Sequence, residues 1–125
     1  RELASLLHAW AAMEVTHGDV EGARKLLSRA VEADASQAWL WRAFGSLEAS
    51  HGDEWLARHY FARAVNADPK EGETWVEWSR LEEAMGNYER ARFYAKRGME
   101  LNAMTTMSRH RLDPKRPLSR RWFRD

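Results

Sequence analysis

Residues 41–69 read WRAFGSLEASHGDEWLARHYFARAVNADP, and the punctuation inside this stretch decides the fold. Trp41, Phe44, Leu47 and Glu48 recur at three- and four-residue spacing, so they share one face of a helix. His51-Gly52 ends that helix, with Gly52 expected in the left-handed conformation that side chains resist. Asp53 is the expected N-cap of the next helix, and Glu54 stands in its first turn, where the helix dipole favours an acid. The second helix then carries Leu56, Tyr60, Phe61, Ala64 and Val65 until Asp68-Pro69 stops it.

Displacing the sequence by 34 residues lays this hairpin over two more without a gap. His17-Gly18-Asp19 meets His51-Gly52-Asp53 and then Met85-Gly86-Asn87. Five columns are identical in all three copies: Glu14/Glu48/Glu82, Gly18/Gly52/Gly86, Ala23/Ala57/Ala91, Arg24/Arg58/Arg92 and Arg29/Arg63/Arg97. The same grammar predicts helices near 4–16, 20–33, 73–85 and 88–101. Small residues fall where paired helices approach closely: Ala11/Gly45/Ser79, Ala23/Ala57/Ala91 and Ala30/Ala64/Gly98. Large ones fall where side chains fill the gaps: Leu7/Trp41/Trp75, Trp10/Phe44/Trp78 and Leu26/Tyr60/Tyr94. A single hairpin cannot bury its apolar stripe alone, so neighbours stack. The expected fold is all-α, a solenoid of three helix–turn–helix repeats (about 1–34, 35–68 and 69–102) with a basic C-terminal extension, 103–125.

Composition bounds the rest. The chain has 125 residues, 44% hydrophobic and 31% charged, with seven Trp, which excludes disorder for its bulk. The absence of Cys excludes a disulfide scaffold, a thiolate metal site and a cysteine nucleophile. No apolar run is long enough to span a membrane. The sequence begins at Arg1 with no leader before the first helical pattern, and it is expected to be a piece of a longer protein. The formal net charge of +1 hides an asymmetry. Residues 1–102 hold 13 Lys/Arg against 17 Asp/Glu, whereas residues 103–125 hold seven basic residues against two acidic ones. The body is therefore at −4 and the extension at +5.

A 34-residue repeat with Trp41, Phe44, Gly45, Ala57, Phe61, Ala64 and Pro69 at these offsets resembles the tetratricopeptide (TPR) repeat. It departs from that pattern by its acids at Glu14, Glu48 and Glu82 and by an Arg after the second-helix Ala, at Arg24, Arg58 and Arg92. Trp75-x-x-Trp78, the later Glu82 and Ala91-Arg92 resemble the HAT (half-a-TPR) variant, over about residues 1–102. The resemblance implies a right-handed superhelix and work in RNA-processing assemblies. The unbroken period and the Gly-Asp/Gly-Asn turns are similar in style to plastid RNA-maturation members. It further implies an intracellular, non-secreted protein, in the plastid or alternatively the nucleus.

Two functions are therefore expected in competition: an RNA-processing factor that binds single-stranded RNA, and a purely protein–protein scaffold subunit of a ribonucleoprotein or organellar assembly. A TPR-type module unrelated to RNA is a third. No Gly-rich phosphate loop, nucleophile–base pair or metal quartet is legible, so no enzyme, cofactor, metal or small-molecule substrate is expected. The Glu14/Glu48/Glu82 and Arg24/Arg58/Arg92 columns read as structural, joining the two helices of a hairpin or adjacent repeats through the forked donors of Arg. Trp39 stands in an otherwise polar column (Ser5, Glu73) near the expected inner face, where a base could stack on it. That face would also carry His8, Ala12, Thr16, Arg42, Ser46, Ser50, Val76, Arg80 and Glu83, of which Arg42 and Arg80 are the basic ones. The extension supplies Arg109, Arg111, Lys115, Arg116, Arg120, Arg121 and Trp122 as a basic arm for RNA or a docking peptide, or alternatively a cap for the last helix.

Overall fold

Three antiparallel helical hairpins follow one another along the chain. The computed structural model describes the backbone of residues 2–112 and the side chains of residues 2–107. Its helices are α1 (Glu2–Thr16), α2 (Val20–Ala33), α3 (Ala38–His51), α4 (Glu54–Ala67), α5 (Gly72–Ala84) and α6 (Tyr88–Leu112). Each helix packs most closely on its hairpin partner. Consecutive hairpins meet through α2 against α3 and α4 against α5, and α3 also touches α5, so the first helices line one side.

The turns inside the hairpins follow two designs. Gly18 and Gly86 adopt φ of 86° and 85°. There the amide of Gly18 donates to the Val15 carbonyl and that of Asp19 to the Glu14 carbonyl, and Gly86 and Asn87 repeat the pattern onto Glu83 and Glu82. This is the reversed C-cap that glycine favours. Gly52 corrects the expectation: its φ is −148°, outside the left-handed region. Its lack of a side chain serves a close approach instead, because a Cβ there would run into Glu48 Oε1 and Arg24 Nη2. Asp19 and Asp53 cap α2 and α4 by accepting from the amides of Gly22 and Trp55, each at 2.8 Å.

The links between repeats are also periodic. The Trp41 indole donates to the Ala35 carbonyl at 2.7 Å and the Trp75 indole to the Pro69 carbonyl at 3.3 Å, the same six-residue reach. Inside each hairpin a tyrosine sits between two aromatics of the facing helix. Tyr60 lies 4.1 Å from Phe44 and 6.0 Å from Trp41, and Tyr94 lies 4.7 Å from Trp78 and 5.4 Å from Trp75. The largest buried cluster joins the first hairpin to α3 around Leu7, Leu27, Leu40, Trp41 and Phe44. A second one, around Ala57, Phe61 and Leu81, joins α4 to α5.

Two further expectations are corrected. Trp10, expected in the core column with Phe44 and Trp78, is 49% exposed. In the later repeats this column stacks on a tyrosine of its own hairpin, Tyr60 against Phe44 and Tyr94 against Trp78, and Trp78 also meets Phe61 of the hairpin before it; in the first repeat the tyrosine column holds Leu26. The last helix, expected to end near 101, continues to Leu112.

Candidate functional site: the inner groove and the inter-repeat clasps

Between α1 and α3 the inner side forms an open groove of about 330 Å³, lined by His8, Ala11, Ala12, Val15, Ala43, Ser46, Leu47, Ser50 and His51, with Leu27 at its floor. Its walls are small and apolar, because Ala11, Ala12 and Ala43 leave space between two helices that face each other one repeat apart. The polar groups at its edge are hydroxyls and imidazoles. Burial holds the His8 ring below the ordinary histidine range, and the nearby Arg42 charge adds to the effect.

The candidate RNA contacts lie in several places. Trp39 is half-buried, packs against the first hydrophobic cluster and meets the His8 ring edge-on at 5.1 Å, so much of its face is already used. Arg42 is bound to Glu71 at 2.7 Å, across the boundary between the second and third repeats. Arg80 is mostly exposed and contacts Glu77 at 3.2 Å, while Glu77 also accepts from Ser46 Oγ at 3.3 Å. The structure therefore brings His8 and Trp39 together and sets an acid beside each groove arginine. Arg109 and Arg111 lie on α6, with their side chains outside the described residues. Lys115, Arg116, Arg120, Arg121 and Trp122 lie wholly outside them.

The Glu and Arg columns meet between repeats, not within a hairpin. Arg24 of α2 grips Glu48 of α3, with Nε 2.9 Å from Oε1 and Nη2 2.9 Å from Oε1. Arg58 of α4 grips Glu82 of α5 two-pronged, Nε to Oε2 and Nη2 to Oε1, both at 2.9 Å. Both pairs are 24 residues apart. The carboxylates are buried, Glu48 at 1% exposure and Glu82 at 0%. Glu82 accepts two further bonds, from the Trp78 indole at 3.1 Å and the Asn87 amide at 2.9 Å. The Arg58 hydrogen bonds hold the Glu82 carboxyl below its ordinary range against the opposing effect of burial, with Asn87 and Trp78 assisting. The same bonds raise Arg58, and those to Glu48 and Glu21 raise Arg24. Each hairpin is thus clasped to the next by one buried ion pair.

A tetratricopeptide-repeat family model matches residues 4–47. A solved structure described as the crystal structure of MamA is similar, with a TM-score of 0.75 over 83% of this chain at 16% sequence identity. The fold is a TPR-like α-solenoid. This chain covers 61% of that structure's length, and no curated protein matches it. The solenoid explains which contacts were legible beforehand. The clasps recur with the repeat, so the columns announced them. Glu71 and Glu77 were missed because they do not recur: their columns hold Gln37 and Ala43 one repeat earlier. Among the described residues no group of three or more His, Asp or Glu could hold a metal ion. No described helix is long and apolar enough to cross a membrane.

Proposed function

We propose that this solenoid is a protein-binding scaffold module that holds a segment of a partner protein in the inner groove. The observation that carries this reading is the groove's chemistry: small apolar walls, hydroxyl and imidazole edges, and an acid beside each neighbouring arginine. Such a surface suits an extended or helical peptide that offers an apolar side chain, and it gives little attraction to a phosphate backbone. The test is site-specific photo-cross-linking from the groove position Ala12 and from the exposed outer position His59, in the native host. Protein adducts from Ala12 that are absent from His59 and lost when Ser46→Arg obstructs the groove are expected. Adducts to RNA from Ala12, or equal protein adducts from both positions, would refute groove binding of a protein.

A second reading is an RNA-processing factor contacting single-stranded RNA, favoured by the +5 charge and Trp122 of residues 103–125 and by the HAT-like columns. It would place the protein in a plastid RNA-maturation assembly, which fluorescence imaging of the tagged full-length protein checks. If the arm neutralises about five phosphates, log affinity for unstructured RNA falls with log salt at a slope near −3.5. Deleting 109–125 should abolish that slope. Loss of binding in an Arg42→Glu/Arg80→Glu variant with the arm intact would assign contact to the groove instead.

A further inference from the structure

The Arg29/Arg63/Arg97 column is identical in all three repeats and belongs neither to the clasps nor to the inner groove. In the second repeat Arg63 lies over the Trp41 ring at 4.5 Å, so its guanidinium is held by its own hairpin. In the first repeat the column of Trp41 holds Leu7, which offers no ring. Arg29 is exposed, and so is Lys25 one turn before it. Among the described residues neither has an ion-pair partner.

Both cations line a cleft of about 590 Å³ between α2 and α4, on the side away from the inner groove, with which it shares no lining residue. Buried Phe44 and half-buried Tyr60 make its apolar floor, and Leu56, 40% exposed, stands on the α4 wall. The other charges in the cleft are already engaged. Arg24 holds Glu48 and Glu21, and Asp53 accepts from the Trp55 amide. Lys25 and Arg29 are the uncommitted ones. The next interval, between α4 and α6, differs at each of these points. Arg90 stands there in the column of Leu56 and approaches the Glu82 carboxylate to 3.6 Å, while Arg63 is held on Trp41. Among the described residues, an apolar wall beside two unpaired cations thus belongs to the first interval alone. Its walls and floor come from residues 21–60, so the cleft does not arise where the described chain stops.

We propose that this outer cleft is a docking site for a segment of a partner protein in which carboxylates flank an apolar side chain. The apolar side chain seats on Phe44, Leu56 and Tyr60, and the carboxylates face Lys25 and Arg29. Charge complementarity selects this occupant. The chain's own residues 103–125, at +5, would set cations against cations. A nucleic-acid backbone carries a charge at every step. It would pass from Lys25 and Arg29 onto Asp53 and onto Glu21, whose side chain is 70% exposed. The proposal does not rest on peptide binding in the inner groove, because the two sites have no residue in common.

The experiment is selection from a displayed library of random short peptides on the full chain, followed by fluorescence anisotropy with the labelled peptides it returns. The selected sequences should carry Asp or Glu close to Leu, Ile or Phe. A Lys25→Glu/Arg29→Glu variant should weaken their binding at least about tenfold. Leu56→Arg, which installs the residue type that the third repeat carries in this column, should do the same. Ser46→Arg, which obstructs the inner groove, should leave it unchanged. Lys25, Arg29 and Leu56 are all exposed, and circular dichroism checks that the variants fold. A selection that returns no acidic–apolar sequences would overturn the proposal, as would peptides that bind both cleft variants like the wild type. Peptides lost only in Ser46→Arg belong to the inner groove, and would overturn this site while leaving the groove reading intact. A labelled oligouridine that binds the full chain and is released by Lys25→Glu/Arg29→Glu would overturn it in favour of a phosphate backbone. Self-association of the full chain that the same variant abolishes, followed by sedimentation, would overturn it in favour of a second copy.

Discussion

Truncating the same glutamate column at its three positions should give three different costs, and the order follows from what each carboxylate holds. Glu82→Ala removes an acceptor that is fully buried and receives two bonds from Arg58, one from Trp78 and one from Asn87. The guanidinium of Arg58 is left mostly buried without its acid, which costs about 3–5 kcal/mol. Glu48→Ala also breaks a buried pair, but Arg24 keeps a second acid, Glu21, at 2.8 Å, and no indole or amide is orphaned. Its cost should be smaller, about 2–3 kcal/mol. Glu14→Ala loses a single exposed indole bond, worth about 0.5 kcal/mol. The total stability of a domain this size is about 5–15 kcal/mol, so the first substitution should take a large share of it. Repeat arrays can unfold in parts, so urea unfolding by far-ultraviolet circular dichroism is paired with native-state hydrogen exchange. In Glu82→Ala the loss of protection should concentrate in α5 and α6. Costs at 14, 48 and 82 that agree within about 0.5 kcal/mol would refute the inter-repeat account, because a role inside each hairpin would weigh equally in every copy.

Three further outcomes follow from the same geometry. The depressed Glu82 carboxyl contributes stability that is fully present above the ordinary glutamate value, about 4.3, and is lost as pH falls through its lower folded value. Glu82→Gln should flatten that part of the acid-unfolding curve, and an unchanged curve would count against the linkage. Gly52→Ala should cost about 1–2 kcal/mol by displacing the Arg24–Glu48 clasp. Chemical denaturation of a double-mutant cycle should show that cost shrinking in a Glu48→Ala background. Thr74 is fully buried with its hydroxyl unpartnered, in the column of Leu6 and Leu40. Thr74→Val should therefore raise the unfolding free energy by about 1 kcal/mol, and a loss of stability would mean that the hydroxyl is satisfied in solution.

Local chemistry that repeats was readable in the sequence; chemistry that depends on a neighbour was readable only in part. The caps at Asp19 and Asp53 and the reversed turns at Gly18 and Gly86 are set within a few residues, and the reading placed them well. Gly52 shares the column of Gly18 and Gly86 and yet has another reason to be glycine, supplied by Arg24 from 28 residues earlier. Trp10 shares the column of Phe44 and Trp78, but the tyrosines that stack on those two, Tyr60 and Tyr94, are replaced by Leu26 in the first hairpin. Trp39 stood out as an aromatic in a polar column; what reduced its exposure was His8, one repeat away and in no recurring pattern. Arg42 and Arg80 looked like free cations because their acids, Glu71 and Glu77, are single departures from the repeat.

That contrast says how charge is used in this solenoid. A pair that recurs, Arg24–Glu48 and Arg58–Glu82, is buried at a joint and sets how one hairpin meets the next. A buried pair adds less net stability than an apolar contact of the same size, yet breaking it is costly, so it penalises every misaligned stacking. The Leu, Phe and Trp columns tolerate sliding by a fraction of a turn, because dispersion and burial are nearly indifferent to direction. A two-pronged guanidinium–carboxylate contact is not. The apolar stripe therefore drives stacking while the clasp fixes its register. A pair that does not recur, Arg42–Glu71 or Arg80–Glu77, fixes no register and lies beside the groove, where it cancels local charge. Changing such a pair alters the charge beside the groove without disturbing how the repeats stack, so that surface can vary independently of the fold.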